Sequence, residues 1–133
     1  MTLEELTDSF GRVESQVARD KGDFVLFALV LREDAPDRWD LVVSAPWAGD
    51  DKLRAVDYLV DQIKAILGPQ YLTNLSRIVF VDPEQDAVQK LNRAIQVEHG
   101  NVEVRDRYFF GLPIKHASII TSKRPAGVSE SRP

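Results

Sequence analysis

The hydrophobic positions of the chain follow a helical period in three segments. In each segment apolar residues recur at alternating spacings of three and four, as they do on the buried face of an amphipathic helix. The pattern predicts helices over residues 3–21, 52–67 and 83–98. Thr2 and Glu5 have the spacing of a capping box, which favours a helix start at residue 3.

Three shorter segments contain continuous apolar runs and predict buried strands over residues 24–31, 39–44 and 76–81. A polar connection of hairpin size joins the first two, so we expect them to pair antiparallel. The third runs directly into Asp82-Pro83-Glu84-Gln85, a helix-start signal, and we interpret it as the central strand of the sheet. We predict that Asp82 accepts a backbone hydrogen bond from Gln85 or its neighbour.

The period changes to two between residues 102 and 121, which indicates a terminal hairpin of two strands. Because Pro113 has no backbone N–H, we expect a three-residue turn, Gly111-Leu112-Pro113. In that register Asp106 lies opposite Ser118 and Tyr108 lies opposite His116. Residues 123–133 have little apolar content, which predicts a disordered C-terminal tail.

These elements predict a fold of class α/β with mixed α+β character. The order is α-β-β-α-β-α-β-β, with a mixed five-stranded sheet flanked by helices. A length of 133 residues fits one domain, which we place at residues 1–122. The sequence shows no internal repeat.

Composition narrows the class of protein. The chain contains no cysteine, which excludes a disulfide framework, a thiolate metal site and a cysteine nucleophile. Its acidic first residues do not resemble a signal peptide, and its longest apolar run is far shorter than the ~20 residues of a membrane helix. We therefore expect a cytoplasmic protein without membrane contact.

Charge is distributed unevenly along the chain. Residues 1–98 carry 11 basic against 18 acidic side chains, whereas residues 99–133 carry six against three. An acidic body argues against broad nucleic-acid binding, which depends on a concentrated basic surface. The basic end leaves a local anion-binding role open.

One candidate site lies where two predicted strands end. If strands two and three are parallel, their carboxyl ends bring two loops to one edge of the sheet, where α/β folds commonly bind ligands. The two loops carry Trp47, Asp50, Asp51, Asp82, Glu84 and Asp86. Clustered carboxylates suit a hard divalent cation. Acidic residues are also the usual caps of helix N-termini, so capping is the competing interpretation, and we assign no metal ligand.

Two further candidates lie on the terminal hairpin. Asp106, His116 and Ser118 are the residue types of a nucleophilic relay, although no nucleophile-elbow motif surrounds Ser118. Polar groups that satisfy one another beside a core are the alternative. On the opposite face, basic residues surround Phe109 and would suit an acidic partner or, less favourably, nucleic acid. These are Arg105, Arg107 and Lys115, with Lys123 and Arg124 beyond. The alternative for them is the solvated side of an antiparallel sheet.

The sequence lacks the dinucleotide, P-loop and zinc-protease motifs, so no cofactor is predicted. We interpret the chain as a non-catalytic interaction module, a homodimer or small accessory protein that recognises another protein. Trp47, between Pro46 and Gly49, is either a binding anchor or part of the core. The alternative function is a metal-dependent hydrolase acting on phosphate esters or nucleic acid through the acidic edge at Asp50, Asp51, Asp82 and Asp86.

Overall fold

Five strands form one mixed sheet in the computed structural model, which describes residues 2–35 and 37–124. The helices and strands follow the predicted order, and the chain is one α/β domain over the described residues. Their bounds are α1 (Leu3–Lys21), β1 (Leu26–Arg32), β2 (Trp39–Ser44), α2 (Lys52–Ile66), β3 (Leu75–Phe80), α3 (Asp86–Ala94), β4 (Val102–Phe109) and β5 (Leu112–Ser122). Short 3-10 helices, Pro46–Ala48 and Pro69–Asn74, precede α2 and β3.

The strands lie in the order β3-β2-β1-β5-β4, so β1 is the central strand. The β1–β2 pair is antiparallel, as predicted, the β2–β3 pair is parallel, and the remaining pairs are antiparallel. The prediction that the third apolar segment is central is wrong, because β3 lies at the edge. The helical crossover through α2 places β3 outside β2, while β5 occupies the free side of β1. At the edge, Ile78 and Val79 stay half-buried, whereas Phe80 is buried.

Helices α1 and α2 cover one face of the sheet. The predicted capping box is present: Glu5 N–H donates to Thr2 Oγ1 at 3.1 Å, and Thr2 N–H donates to Glu5 Oε1 at 2.9 Å. Behind this start, Leu6, Phe10, Val13 and Val17 of α1 are buried in the core between the helices and the sheet. The largest core cluster contains Phe10, Val13, Val17, Phe27, Leu29, Leu41, Val43, Leu59 and Ile63.

The opposite face is covered less completely, because α3 has only nine residues. The predicted helix over residues 83–98 is too long at both ends: residues 83–85 form a turn, and the chain becomes extended at Ile95. Beyond α3, a smaller core of Val30, Val42 and Ile114 is flanked by the half-buried rings of Phe109 and Phe110. This incomplete cover leaves a groove on the α3 face.

The turn between β4 and β5 has two residues, Phe110 and Gly111, and the predicted three-residue turn is wrong. Their φ angles of 55° and 78° are both left-handed, as in the type I′ turn whose twist matches a hairpin. Gly111 supplies the second of these angles, so the chain reverses before Pro113, which pairs with Tyr108 within the ladder. The register therefore differs from the predicted one by an odd number of residues. Side chains of the two strands that were predicted to share a face consequently lie on opposite faces.

The described chain continues past the predicted boundary at residue 122. Lys123 Nζ donates to Asp23 Oδ2 at 3.0 Å and forms an ion pair with Glu98. Burial lowers the pKa of Lys123, but hydrogen bonds to Glu98 and Asp23 outweigh burial and raise it above its ordinary value. Arg124 donates to the Asn92 side chain at 3.1 Å. The rest of the predicted tail, residues 125–133, lies outside the described residues.

Among the described helices, none combines the length and apolar content that crossing a membrane requires.

Candidate functional site

The uncovered part of the α3 face forms a groove that we call the hairpin groove. It is a cavity of about 130 Å³ bounded by the β4–β5 turn and by the ends of β1, β2 and β3. Its walls are mostly apolar side chains, and two arginines and one carboxylate close one end. The lining residues are Val30, Arg32, Asp40, Val42, Arg77, Val79, Val81, Gln85, Phe109, Phe110, Leu112 and Ile114.

Asp40 is the carboxylate at the charged end of the groove, and only 3% of it is exposed. Its Oδ2 accepts from Arg32 Nε at 2.8 Å and from Arg77 Nε at 3.1 Å. Arg32 also pairs with Asp34 at 2.9 Å. Asp40 Oδ1 is buried, and no residue in the described ranges donates a hydrogen bond to it. Because both arginines share one oxygen, the second oxygen of this carboxylate keeps an unused acceptor.

The β4–β5 turn forms the other end of the groove and exposes a cluster of apolar side chains. Tyr108 is 76% exposed and Leu112 is 38% exposed, while Phe109 and Phe110 are half-buried. A second depression of about 660 Å³ runs from these rings along α3, past Lys90 and Asp86. The hairpin groove and this depression share Gln85, Phe109 and Phe110, so together they form one continuous surface.

The predicted cations lie on the hairpin that carries this turn. Arg105 and Arg107 are exposed on β4, and Lys115 is exposed on β5. Within residues 2–35 and 37–124, none of the three forms an ion pair or a side-chain hydrogen bond. Strand β4 is also a free edge of the sheet, where charged side chains disfavour unwanted strand pairing.

The polar residues of the hairpin do not come together as a relay. His116 lies opposite Arg105, with Nε2 3.3 Å from Glu103 Oε1, and its ring packs against Trp39 at a centroid distance of 5.9 Å. Ser118 is buried and lies opposite Glu103. Asp106 is exposed and has a left-handed φ of 53°. The predicted pairings of Asp106 with Ser118 and of Tyr108 with His116 are therefore wrong, because the shorter turn shifts the register.

The acidic edge does bring its two loops together, since Asp50 and Asp82 line one cavity of about 190 Å³ with Lys52. Asp51 caps α2 by accepting from Arg54 N–H at 3.1 Å. Asp82 Oδ1 accepts from Glu84 N–H at 2.9 Å, which is the predicted kind of backbone contact. The Asp82 side chain closes the turn before α3, whereas the N-cap residue of α3 is Gln85. Among the described residues, no three His, Asp or Glu side chains form a metal-holding group.

Trp47 is folded onto the core, which is the second of its two predicted arrangements. Its ring lies 5.8 Å from Phe24, 5.8 Å from Phe80 and 5.9 Å from Tyr58, each in an edge-to-face orientation. Its Nε1 is buried without a hydrogen-bond partner among the described residues. Trp47 therefore stabilises the junction between α2 and the sheet.

Sequence reasoning did not identify the residues that build the hairpin groove. The sequence pattern places Asp40 in the predicted strand 39–44 and Arg32 in the polar connection before it, and it assigns neither residue to a site. The available signal was an acid inside an otherwise apolar strand, because a buried carboxylate requires partners. Arg77, at the start of the third apolar segment, was the matching signal on the neighbouring strand. A comparison of the chain with protein-family models, curated proteins and solved structures gave no match.

Proposed function

We propose that this protein is a binding module whose hairpin groove takes up an acidic segment of a partner protein, anchored by an apolar side chain. The anchor would lie among the valines and rings of the groove. Carboxylates on either side of it would face Arg77 and Arg107. The partner would be held by side chains, so the module needs no chemistry of its own.

The conformation of Phe110 is the observation that carries this proposal. A left-handed φ costs an L-residue roughly 1–2 kcal/mol, and the first position of a type I′ turn favours asparagine, aspartate or glycine. An aromatic residue here departs from the local preference of the turn. Such departures are expected where a side chain serves function rather than stability.

The exposed neighbours of Phe110 support the same interpretation. Only three large apolar residues in the described part of the chain are exposed, and two of them, Tyr108 and Leu112, flank this turn. Aromatic residues and arginine are enriched among the residues that dominate binding energy at protein interfaces. A turn that combines Tyr108, Phe110 and Leu112 beside Arg107 has this composition.

The charges of the hairpin favour an acidic partner. Arg105, Arg107 and Lys115 have no carboxylate partner in the described residues, and Arg77 is 49% exposed at the mouth of the groove. Positive charge facing negative charge increases association rates and specificity more than it increases affinity. We therefore expect binding to weaken as salt concentration increases.

The metal-dependent hydrolase stays a prediction from the sequence, because no observation favours it over the interaction module. The carboxylates of Asp51 and Asp82 already accept backbone hydrogen bonds. Asp50 and Asp82 share their cavity with the ammonium group of Lys52.

A peptide-display selection tests the proposed function. Random peptides are selected on the immobilised protein and counter-selected on the Phe110→Asn variant. This substitution removes the ring but suits the left-handed turn, so relief of strain of about 1 kcal/mol offsets much of the lost partial burial. We expect enrichment of peptides that combine an aromatic or large aliphatic residue with Asp or Glu.

The matched control is Leu53→Ser, which removes an 80% exposed leucine from α2 on the opposite face. Selected peptides should bind this variant as they bind the natural sequence, and they should lose at least about tenfold in affinity for Phe110→Asn. Equal binding to both variants, or enrichment of basic peptides, would refute the proposal. Sedimentation equilibrium adds a further test: self-association that Phe110→Asn abolishes would identify a second copy as the occupant and overturn the acidic foreign segment.

A further inference from the structure

The opposite face of the sheet carries a larger groove that the proposed function does not use. It has a volume of about 800 Å³ and lies between α1 and the loop His99-Gly100-Asn101. The side of α1 that faces it presents Gly11, Arg12, Ser15 and Arg19. We call it the α1 groove.

A buried carboxylate holds one wall of the α1 groove in place. Glu14, in the middle of α1, is 0% exposed. Its Oε1 lies 2.6 Å from His99 Nδ1, and its Oε2 accepts from Thr121 Oγ1 at 2.9 Å. Thr121 Oγ1 in turn accepts from the backbone N–H of His99 at 3.1 Å. These three contacts fix both the backbone and the ring of His99.

The orientation of the imidazole follows from this network. An ionised carboxylate only accepts hydrogen bonds, so Glu14 places a proton on Nδ1 of His99 and turns Nε2 away from the core. The His99 side chain is 43% exposed, and the residue has a left-handed φ of 52°. Burial of the Glu14 carboxylate and the left-handed φ of His99 both cost free energy. Together they hold the imidazole with its Nε2 edge exposed.

Gly11 keeps the groove open beside this imidazole. It lies in the interior of α1, where glycine is less favourable than alanine by about 1 kcal/mol. A Cβ atom at this position would meet nothing within 4 Å, so no packing contact requires a glycine. The missing side chain therefore leaves space on the groove wall and adds nothing to the core.

The free donors of the groove are cationic. Arg12 is exposed directly after Gly11 in α1 and makes no hydrogen bond or ion pair within the described ranges, and Arg19 donates only to Gln16, at 2.7 Å. The acidic groups nearby are Asp8, which lines the groove, and Glu98, whose Oε2 is 3.6 Å from His99 Nε2. Glu98 is engaged by Lys123, which limits its hold on the imidazole.

We propose that the α1 groove binds a small ligand through a phosphate-type or carboxylate-type oxyanion. Arg12 donates to the oxyanion, the exposed Nε2 edge of His99 hydrogen-bonds to the ligand, and Arg19 supplies a further positive charge. Guanidinium groups form the strong, charge-assisted class of hydrogen bonds to such oxygens. The site is independent of the hairpin groove, which lies on the other side of the sheet.

Titration of the isotope-labelled protein with sodium phosphate and, separately, sodium citrate tests this site by nuclear magnetic resonance. Ionic strength is kept constant with sodium chloride. Shifts that sodium chloride alone produces measure the screening of charges by salt. We expect saturable shifts confined to the backbone amides of Arg12, His99 and Asn101. The anion that saturates at the lower concentration identifies the phosphate or the carboxylate class. Absence of saturable shifts with both anions at tens of millimolar would overturn the proposal.

Three variants locate the binding. His99→Asn keeps a donor near the Nδ1 position and tolerates the left-handed backbone, but it removes Nε2. Arg12→Gln removes the free guanidinium, and Gly11→Leu fills the groove without a clash at Cβ. Each is expected to weaken binding about tenfold, since one charge-assisted hydrogen bond or the access to it is lost.

Arg93→Gln is the matched control, because Arg93 is an exposed arginine of α3 on the other face. It should leave the titration unchanged. Equal weakening by Arg93→Gln and Arg12→Gln would show that the anions respond to overall charge, which refutes a site. Retained binding in Gly11→Leu would refute the location in the groove, and a cooperative thermal unfolding transition verifies that each variant is folded.

Discussion

Removal of the Glu14 carboxylate is expected to destabilise this protein more than any single surface substitution. Glu14→Ala deletes an inaccessible acceptor of hydrogen bonds from His99 at 2.6 Å and from Thr121 at 2.9 Å, and of a longer one from Ser15 at 3.4 Å. Hydrogen bonds to a charged group contribute about 1.5–3 kcal/mol each, and breaking a buried pair costs about 3–5 kcal/mol. Alanine returns only a few tenths of a kcal/mol in helix propensity. We therefore expect a loss of about 4 kcal/mol.

Urea unfolding followed by circular dichroism measures this loss. With a denaturant slope of about 2 kcal/mol/M, a loss of about 4 kcal/mol lowers the midpoint by roughly 2 M. Glu14→Gln is the matched variant, since its amide keeps the shape and can accept from one partner while donating to the other. It should lose only about 1–2 kcal/mol.

A decrease of less than about 0.5 M in the urea midpoint of Glu14→Ala, at an unchanged denaturant slope, would refute the expected loss of stability. A loss in Glu14→Gln equal to that in Glu14→Ala would show that charge, and not hydrogen bonding, dominates the network. If Glu14→Ala does not fold, Thr121→Val provides the measurement, because it retains the side-chain volume but removes the hydrogen bond to Glu14 and the one accepted from the His99 backbone N–H. Its expected loss is about 2 kcal/mol.

Four further predictions concern local features. Asp82→Ala should lose about 0.5–1 kcal/mol in urea unfolding, whereas Asp82→Asn should lose less, because asparagine also closes a turn onto the N–H of Glu84. Thr2→Ala should cost about 1 kcal/mol in the same assay, because it removes one half of the capping box of α1. Gly11→Ala should raise the free energy of unfolding by about 1 kcal/mol, and a decrease would contradict the open space around this residue. The pKa of Lys123 is raised above its ordinary value of 10.5, so its ion pairs should stabilise the fold at neutral pH. This stabilisation should be lost as the pH rises through the raised value. Lys123→Met should therefore make the free energy of unfolding less dependent on pH in the alkaline range.

The elements of the fold could be predicted because each is encoded by neighbouring residues. The helical stripe of α1 and its capping box lie within one segment, and the predicted strand over residues 39–44 agrees with β2, Trp39–Ser44. The order of helices and strands followed from these local signals. Strand position did not, because an apolar run reports burial and not the number of neighbouring strands. For this reason β3 was mistaken for the central strand.

The predicted register of the hairpin is wrong because of a single dihedral angle, the φ of Phe110. Phe110 occupies a left-handed conformation that its residue type disfavours, so the preference of Pro113 for a turn pointed to the wrong three residues. The error in turn length then displaced every cross-strand partner, including those of His116 and Ser118. Turn type determines hairpin register, and a turn that departs from residue preference conceals it.

The departures from local preference in this chain coincide with its grooves. Three described non-glycine residues have a left-handed φ: His99, Asp106 and Phe110. His99 lines the α1 groove, Phe110 lines the hairpin groove, and Asp106 lies on the strand that leads to Phe110. The buried carboxylates Glu14 and Asp40 contact residues that line the same two grooves.

Each of these features costs free energy that a sequence selected for stability alone would avoid. Their partners are also remote in sequence, since Glu14 and His99 are 85 residues apart and Asp40 and Arg77 are 37 apart. No local pattern could pair them. A buried charge in a helix or strand predicts only that a partner exists, and the fold decides which residue it is. His99 and Phe110 line the two grooves, and the buried carboxylates Glu14 and Asp40 contact residues that line them, which is the physical reason to look for ligands there.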